Sequence, residues 1–469
     1  MKITFCGAAK QVTGSMHMVT LHNGYKILID CGLNYELKRD LSGDEFTFPF
    51  NPGDIDLVIL THAHIDHSGN IPTLVARGFK GQIICTEPTL ELSKHLLFDS
   101  ANIQMMEYKQ RYHRAPKHRK SNVPKPIYSE REVSVAMDKM VTLPFNRKFQ
   151  LTDGCEIELI EAGHLLGAAS VVIQETVNQI TTRIGFTGDL GREHAELIRN
   201  PVPMENLDYL VSEATYGGRM HTSSKLAEEE LLKHIEETIV KLRGRLIIPA
   251  FSVGRTQSIV HVLCRLYHKG LLPDVKIYVD SPLAIKSTHT YSNHPELLNK
   301  DATAFLNEHG DLFDFPNLKW IDYLTDQDEK AQTGESCIIV SAAGMVEGGR
   351  IQEHVKNNIQ NPFSTILIAG FCAEGTLGYR LLSGQKNIAI KGKNYQVYSN
   401  ITKTDVFSSH PDKMEIFNYI KTCYTPRLKQ IFLVHGDEPN LIQMKDTLEK
   451  AGITDVEIPE QLDSYNLIS

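Results

Sequence analysis

Residues 56–67 read DLVILTHAHIDH, and the reading of this stretch decides the fold. Leu57, Val58, Ile59 and Leu60 form a short apolar run of the kind that makes a buried strand. The run stops at Thr61 and then delivers His62, His64, Asp66 and His67 within six positions. Such a concentration of polar groups inside a strand would leave buried donors and acceptors unpaired. At a strand end the same groups can converge on cations. Alternation puts His62 and His64 on one side for a first metal and turns Asp66 and His67 toward a second. Imidazole with carboxylate suits zinc, with manganese or iron as alternatives. A surface loop rich in histidine is the plain alternative, and four ligand-type residues at this spacing argue against it.

Working outward, 469 residues are too many for one ordinary core, and about two to three domains are expected. The composition is that of a globular protein, 41% hydrophobic, and no apolar run is long enough to span a bilayer. MKITFCGAAK at the start is not expected to be a signal peptide. Eight cysteines without a CxxC pair suit reduced thiols, so the expectation is a cytoplasmic protein with no membrane partner. A formal net charge of −8 argues against coating nucleic acid by bulk charge, while leaving room for a local basic groove.

Before the central stretch, Met16–His22 and Tyr25–Asp30 read as strands joined by Asn23 and Gly24, a two-residue hairpin signal. Asp30 closes the second run. Taken alone it is a turn residue; beside a histidine cluster it can orient a metal-bound His from behind. After the central stretch, Asn70–Arg77 and Leu90 to about Arg114 read as helices. The second runs into YKQRYHRAPKHRKSNVPKP (108–126), with seven Lys/Arg and no Asp or Glu. Tyr108 and Tyr112 are interleaved, so phosphates would be attracted and unpaired bases could stack. A solvated basic helix end and loop is the alternative reading.

From about 139 to 190 β-character returns, and two more ligand candidates fall at strand ends. They are His164 in EAGHLLGAAS and Asp189 in IGFTGDLGR. Gly163, Gly167, Gly188 and Gly191 beside them permit close approach of backbone and metal. Joined to the earlier four, they supply a third His for one metal and a carboxylate able to bridge two.

Asp30, the 62–67 cluster, His164 and Asp189 resemble, in order, the successive motifs of the metallo-β-lactamase superfamily. The resemblance implies an αββα sandwich with metals at one edge. Leu207–Glu213, an apolar strand ending in an acid within SEATYGGR, resembles motif A of the β-CASP subgroup, which processes nucleic acids. PAFSVGRTQ (249–257), DSPLA (280–284), SAAGMVEGGR (341–350) and GFCAEGTLGYRLLSG (370–384) resemble that branch's inserted domain. FSSHPD (407–412) is similar to motif B, with His410, although Ser and Pro stand where alanines are commoner. LVHGD (433–437) is similar to motif C, with His435. The implied division is 1–208 for the first part of the metallo-β-lactamase domain, 209–394 for the inserted domain and 395–469 for the returning part.

The inserted segment also reads on its own terms as α/β. Apolar runs at Leu246–Pro249, Val275–Asp280, Cys337–Ser341 and Ile366–Gly370 alternate with helical stretches such as Ala227–Leu242 and Ser258–His268. That pattern predicts a mostly parallel sheet with ligand sites at strand C-termini. Gly-rich turns opening helices offer N–H groups to phosphate. Arg255, Ser341, Gly344 and Arg380 are the expected nucleic-acid contacts.

The resemblance assigns His62, His64 and His164 to one metal and Asp66, His67 and His435 to the other, with Asp189 bridging. Two zinc ions (or manganese) about 3.5–4 Å apart can share a hydroxide that attacks phosphorus in line. His410 is the expected general acid, oriented or kept protonated by Glu213. Asp66 and Asp30 complete the expected catalytic group. The products are a 5′-phosphate and a 3′-hydroxyl. His435 at motif C resembles the RNA-processing members, so the expected substrate is single-stranded RNA, cut internally or from a 5′ end. A homodimer is one assembly open to the chain, whose oligomeric state the sequence does not give. A DNA nuclease of the same subgroup and a small-molecule hydrolase on the same fold are the alternatives; the latter leaves Glu213, His410 and the insertion without a use.

Overall fold

The computed structural model describes residues 1–34, 47–323 and 334–468. The chain divides into two compact units, one of 1–191, 200–220 and 410–469, the other of 192–199 and 221–409.

The first unit is built on two seven-stranded sheets. One runs, in spatial order, Ser464–Asn466, Lys2–Phe5, His17–Thr20, Lys26–Ile29, Leu57–Ile59, Gln82–Cys85, Met140–Thr142. The other runs Val456–Glu457, Gln430–Val434, Tyr209–Glu213, Ile180–Phe186, Ala169–Val177, Cys155–Glu161, Lys148–Thr152. Their facing side chains make one shared core. Ile27, Ile29, Leu57 and Ile59 meet Leu159, Val171, Ile173, Phe186, Val211 and Phe432 there. The alternate residues point outward into helices. Leu28, Val58 and Leu60 pack with Ile71 and Leu74 of the helix Ile71–Ala76. Ile431 and Leu433 pack with Ile416, Ile420, Met444 and Leu448 of the helices Lys413–Cys423 and Glu438–Lys450. Both faces of these strands are buried, which is why they read as continuous apolar runs rather than alternating ones. The result is the expected αββα sandwich.

Strand direction explains where the polar residues gather. Lys26–Ile29 and Leu57–Ile59 are parallel neighbours, so Asp30 and the 61–67 segment leave the first sheet at one edge. Ile180–Phe186, Tyr209–Glu213 and Gln430–Val434 are likewise parallel, so Asp189, Glu213 and His435 leave the second sheet together. The Ala169 N–H donates to the Thr61 carbonyl at 2.8 Å and ties the two sheets at that edge.

The second unit holds a six-stranded parallel sheet. Its order is Leu318–Trp320, Lys276–Asp280, Cys337–Ser341, Arg245–Pro249, Thr365–Ile368, Asn400–Lys403. Ile247, Ile339, Ile366 and Ile368 pack with residues of the helices Ile351–Asn358 and Leu377–Leu382. The parallel α/β character expected of the insertion is present.

Two local readings change. The Asn23–Gly24 hairpin forms, but Leu21 N–H donates to Tyr25 O, so the loop has three residues, closed by Gly24 at φ +88°. Along the chain the compact units change over at 191/192, 199/200, 220/221 and 409/410. Tyr209–Glu213 belongs to the first unit because it pairs between two of that unit's strands, and Asn400–Lys403 belongs to the second because it extends the parallel sheet. The long helix after the central stretch starts at Glu87, capped by Thr86, and reaches Arg114. Among the described residues no helix is long and apolar enough to cross a membrane.

Candidate metal centre

Strand Leu57–Ile59 ends before the histidines, so strand alternation does not place them. His62 lies in the connecting loop, His64 is the N-cap of a four-residue helix, Ile65–Ser68, and Asp66 and His67 ride on that helix. The helix turn, rather than the pleat, separates the four residues into two groups. His164 comes from the loop between Cys155–Glu161 and Ala169–Val177. Gly191 sits so close to that loop that a Cβ there would be 1.8 Å from the Gly163 carbonyl oxygen. This contact locks the His164 loop against the Asp189 loop.

Two clusters result. His62 Nε2 and His164 Nε2 lie 3.1 and 3.2 Å from His64 Nδ1, and Asp189 Oδ2 is 3.4 Å from the first and 3.6 Å from the second. His67 Nε2 lies 3.1 Å from His435 Nε2, which is 3.7 Å from Asp66 Oδ2. Asp189 Oδ1 faces this second group, 3.1 Å from His67 and 3.4 Å from His435. The structure therefore brings together all seven residues expected as ligands, with the two oxygens of Asp189 divided between the clusters.

The chemistry of the donors fits cations. Both Asp189 oxygens are buried and face imidazole nitrogens at 3.1–3.6 Å, and a buried carboxylate in such a setting calls for positive charge close by. Burial pushes His62, His64 and His164 down, aided by neighbouring imidazoles, His64 to about 3. Those three rings are neutral, the form that ligates. Burial also opposes charge on His67, but Asp189 and Asp30 on its two sides outweigh it and hold it well above its usual range. A cation in the second cluster would take the place of that proton. Asp66 and Asp189 stay below the usual carboxylate range despite burial; His435 is the main opposing influence on each.

Ring orientation is set from behind. His67 Nδ1 donates to Asp30 Oδ2 at 2.6 Å, and Asp30 also accepts from the Thr61 N–H (2.8 Å) and hydroxyl (2.9 Å). The remaining nitrogens of His62, His164 and His435 face Thr61 Oγ1, Leu190 O and Thr215 Oγ1 at 3.0–3.2 Å. Such partners fix tautomer and ring angle. Asp30 and His435 sit at φ +60° and +50°, left-handed conformations that cost non-glycine residues energy and recur at functional sites. Thr61, Thr215 and the Leu190 carbonyl were not singled out from the sequence; threonines next to ligand positions at strand ends were the available signal.

Beside the clusters, His410 Nδ1 lies 3.2 and 3.3 Å from the two Glu213 oxygens, and its Nε2 is 3.9 Å from Asp189 Oδ2. Glu213 is buried and also accepts from the Leu190 N–H at 2.6 Å. Burial would lower His410, but Glu213, Asp189 and Asp66 push it up to about 9. Its side chain remains 18% exposed, so a substrate can reach it.

The expected nucleic-acid contacts of the second unit look different. Arg255 is buried, donates to the Phe407 carbonyl at 3.3 Å and lies over the Phe251 ring. Ser341 is buried and donates to Asp280 O at 2.8 Å, and Gly344 is buried against Phe251. The Arg255 and Ser341 side chains thus have partners within the unit. Arg380, on the helix Leu377–Leu382, is half-buried. Reasoning from glycine-rich turns also passed over a buried ion cluster in which Asp280 accepts from Arg350 and His354, both at 2.7 Å.

Comparison with known proteins agrees with this architecture. The description "Metallo-beta-lactamase superfamily" matches residues 10–237, "Beta-Casp domain" 256–381, and "Zn-dependent metallo-hydrolase RNA specificity domain" 394–459. The chain belongs to the β-CASP branch of the metallo-β-lactamase superfamily. It is 29% identical over 461 residues to the transcription termination factor FttA of Methanosarcina mazei, covering 96% of this chain and 69% of that one. It is 27% identical to a ribonuclease of Thermus thermophilus, covering 96% and 97%. An RNase J-like protein of Methanocaldococcus jannaschii is 28% identical, covering 96% and 95%. A crystal structure of a protein of unknown function from Enterococcus faecalis shares the fold over 99% of both chains at 12% identity, with a TM-score of 0.54. Membership of this metallo-hydrolase family makes the chain a divalent-metal hydrolase.

Proposed function

We propose that this chain is a ribonuclease that hydrolyses phosphodiester bonds in single-stranded RNA with two zinc ions, leaving 5′-phosphate and 3′-hydroxyl ends. One observation carries the reading: the two oxygens of the buried Asp189 are divided between two clusters of candidate ligands, with the His410–Glu213 pair alongside. RNA is favoured by the RNA specificity description over 394–459 and by the ribonuclease from Thermus that matches nearly end to end. Zinc is favoured over manganese by the predominance of imidazole donors. Eight buried free thiols accord with a reducing compartment such as the cytoplasm.

His62, His64 and His164 with one Asp189 oxygen would hold one ion, and Asp66, His67 and His435 with the other oxygen would hold the second. Bound there, the metals supply an activated water near neutral pH and neutralise charge growing on the phosphoryl oxygens. The protein's own part is orientation and proton supply. Asp30, Thr61 and Thr215 hold the imidazoles at fixed angles. His410, kept charged by Glu213, carries a proton on Nε2 facing the clusters, the position from which it can protonate the leaving 3′-oxygen. Glu213 cannot swing away, because backbone N–H groups of Leu190 and Thr215 hold it.

The test incubates metal-loaded protein with matched 5′-labelled single-stranded RNA and DNA, with and without chelator, beside His410→Ala. RNA cut to 3′-hydroxyl fragments, abolished by chelator and crippled by the substitution, is the expected result. Cleavage of DNA alone would move the assignment to a DNA nuclease. Inert RNA and DNA with both metals bound would overturn the nuclease reading in favour of a small-molecule hydrolase.

A further inference from the structure

The basic stretch at 108–126 takes no part in the metal centre, yet it is the most one-sided charge run in a chain of net charge −8. Its structural setting is a helical arm. The helix Glu87–Arg114 buries a stripe of Pro88, Thr89, Leu92, Ser93, Leu97 and Ala101, and none of its residues beyond Ala101 is buried. Residues 102–114 thus extend for about 20 Å without a core to cover them. Ile103 and Met106 are exposed on this length, and Tyr108 and Tyr112, one turn apart, place their rings 5.8 Å apart at a 38° tilt. Lys120, from the returning 3₁₀ turn, lies 4.7 Å above the Tyr112 ring. Lys109, Arg111 and Arg114 are exposed around the rings, with Glu107 the nearby acid, paired to Arg111 at 3.9 Å. The side chains of Lys117 and Arg119 lie outside the described ones.

A helix C-terminus favours cations, which accounts for Arg111 and Arg114. It does not account for basic residues continuing past the helix to Lys125 with no acid among them, or for aromatic rings left outside a core. The arm is also firmly rooted. Ile127 N–H donates to Gln104 Oε1 at 2.9 Å, and the Tyr128 hydroxyl donates to Ser100 at 2.8 Å. Leu97 and Ala101 at its base pack with Tyr128, Val133 and Ile65, and Ile65 opens the short helix that carries Asp66 and His67. The base of the arm therefore adjoins the helix that supplies two metal ligands.

We propose that this arm docks the stretch of single-stranded RNA adjoining the scissile bond, its cations on the phosphates and Tyr108 and Tyr112 stacked on bases. The proposal rests on the ribonuclease reading. Charge pairing with phosphate is sequence-independent and salt-sensitive, and stacking on tyrosine rings needs unpaired bases. Duplex RNA would meet the charges but not the rings.

The experiment measures anisotropy of a long labelled single-stranded RNA over a range of salt in the His410→Ala background, where the RNA stays intact. Two variants are compared with the parent, one with Lys109, Arg111, Arg114 and Lys120 all changed to Gln, the other Tyr108→Ala with Tyr112→Ala. The charge variant should lose about 0.7 in the log–log salt slope for each phosphate contact removed. The ring variant should bind about tenfold or more weakly per stacked base with its slope unchanged. With His410 restored, both should still cut a short oligonucleotide that does not reach the arm. Unchanged affinity and slope in folded variants would overturn the proposal while leaving the ribonuclease reading intact. Equal weakening on duplex and single strands by the ring variant would overturn the stacking claim. If the parent cuts no RNA, the ribonuclease reading and the proposal fall together.

Discussion

Asp30 shows how much a single residue's meaning depends on its neighbours. Its carboxylate accepts from His67 and twice from Thr61, so it orients a ligand while pinning the loop that carries the others. Asp30→Asn would keep the shape and weaken the acceptor. We expect metal affinity or activity to fall 10- to 100-fold, read by metal titration and kcat/KM. Glu213 acts through His410 in a way that pH exposes. A general acid must be protonated, so activity is lost as pH rises through the pKa of His410. Glu213 raises that value against the effect of burial, and Glu213→Gln removes the principal upward influence. The alkaline limb of kcat/KM should therefore move to lower pH in Glu213→Gln, while bound metal stays the same. An unmoved limb would show that His410 is not the proton donor.

At the scale of elements, the site is a meeting of loops whose spacing tolerates no added atom. Gly191 touches the Gly163 carbonyl, and a Cβ at Gly32 would fall 1.6 Å from the Asp66 carbonyl oxygen. Neither contact can relax by moving a flexible side chain, because backbone lies on both sides. Gly191→Ala should separate the His164 loop from the Asp189 loop at a cost of about 1–3 kcal/mol, the range for overpacking. The expected signature is a lower Tm together with reduced metal occupancy at the cluster of three histidines. These contacts join residues remote in sequence, and only the nearby glycines EAGHLLGAAS and TGDLGR hinted at them. Strands were more legible. Leu57–Ile59, Tyr209–Glu213 and Cys337–Ser341 fall within apolar runs because each is buried on both faces, a property that composition records directly.

For the whole molecule, every proposed ligand lies in the unit made of 1–191, 200–220 and 410–469. Metal that binds the native state alone stabilises it by mass action, about 4 kcal/mol at a thousandfold excess over Kd. Chelation should therefore raise amide exchange in the strands of that unit, Leu57–Ile59, Tyr209–Glu213 and Gln430–Val434 foremost. Exchange in the parallel sheet of the other unit should not change. A uniform rise in both would mean that the metals stabilise more than the unit that holds them.

The sequence by itself determined the candidate ligands, the fold class and the order of the motifs. Ligand-type side chains crowd at strand ends in a pattern that no packed interior could absorb, and buried strands declare themselves by apolar content. What only the tertiary structure decided was which groups meet. The short helix after His64, not strand alternation, sorts the four central ligands into two clusters. Parallel pairing carries Asp189, Glu213 and His435 to one edge although they are up to 246 positions apart (435 − 189). The structure also turned Arg255 and Ser341 inward, where burial beside Phe251 and Asp280 gives their polar groups partners within the fold. Periodicity and residue type are local and survive in one dimension. Partnership across the chain is settled by strand order and close packing, which one dimension does not record.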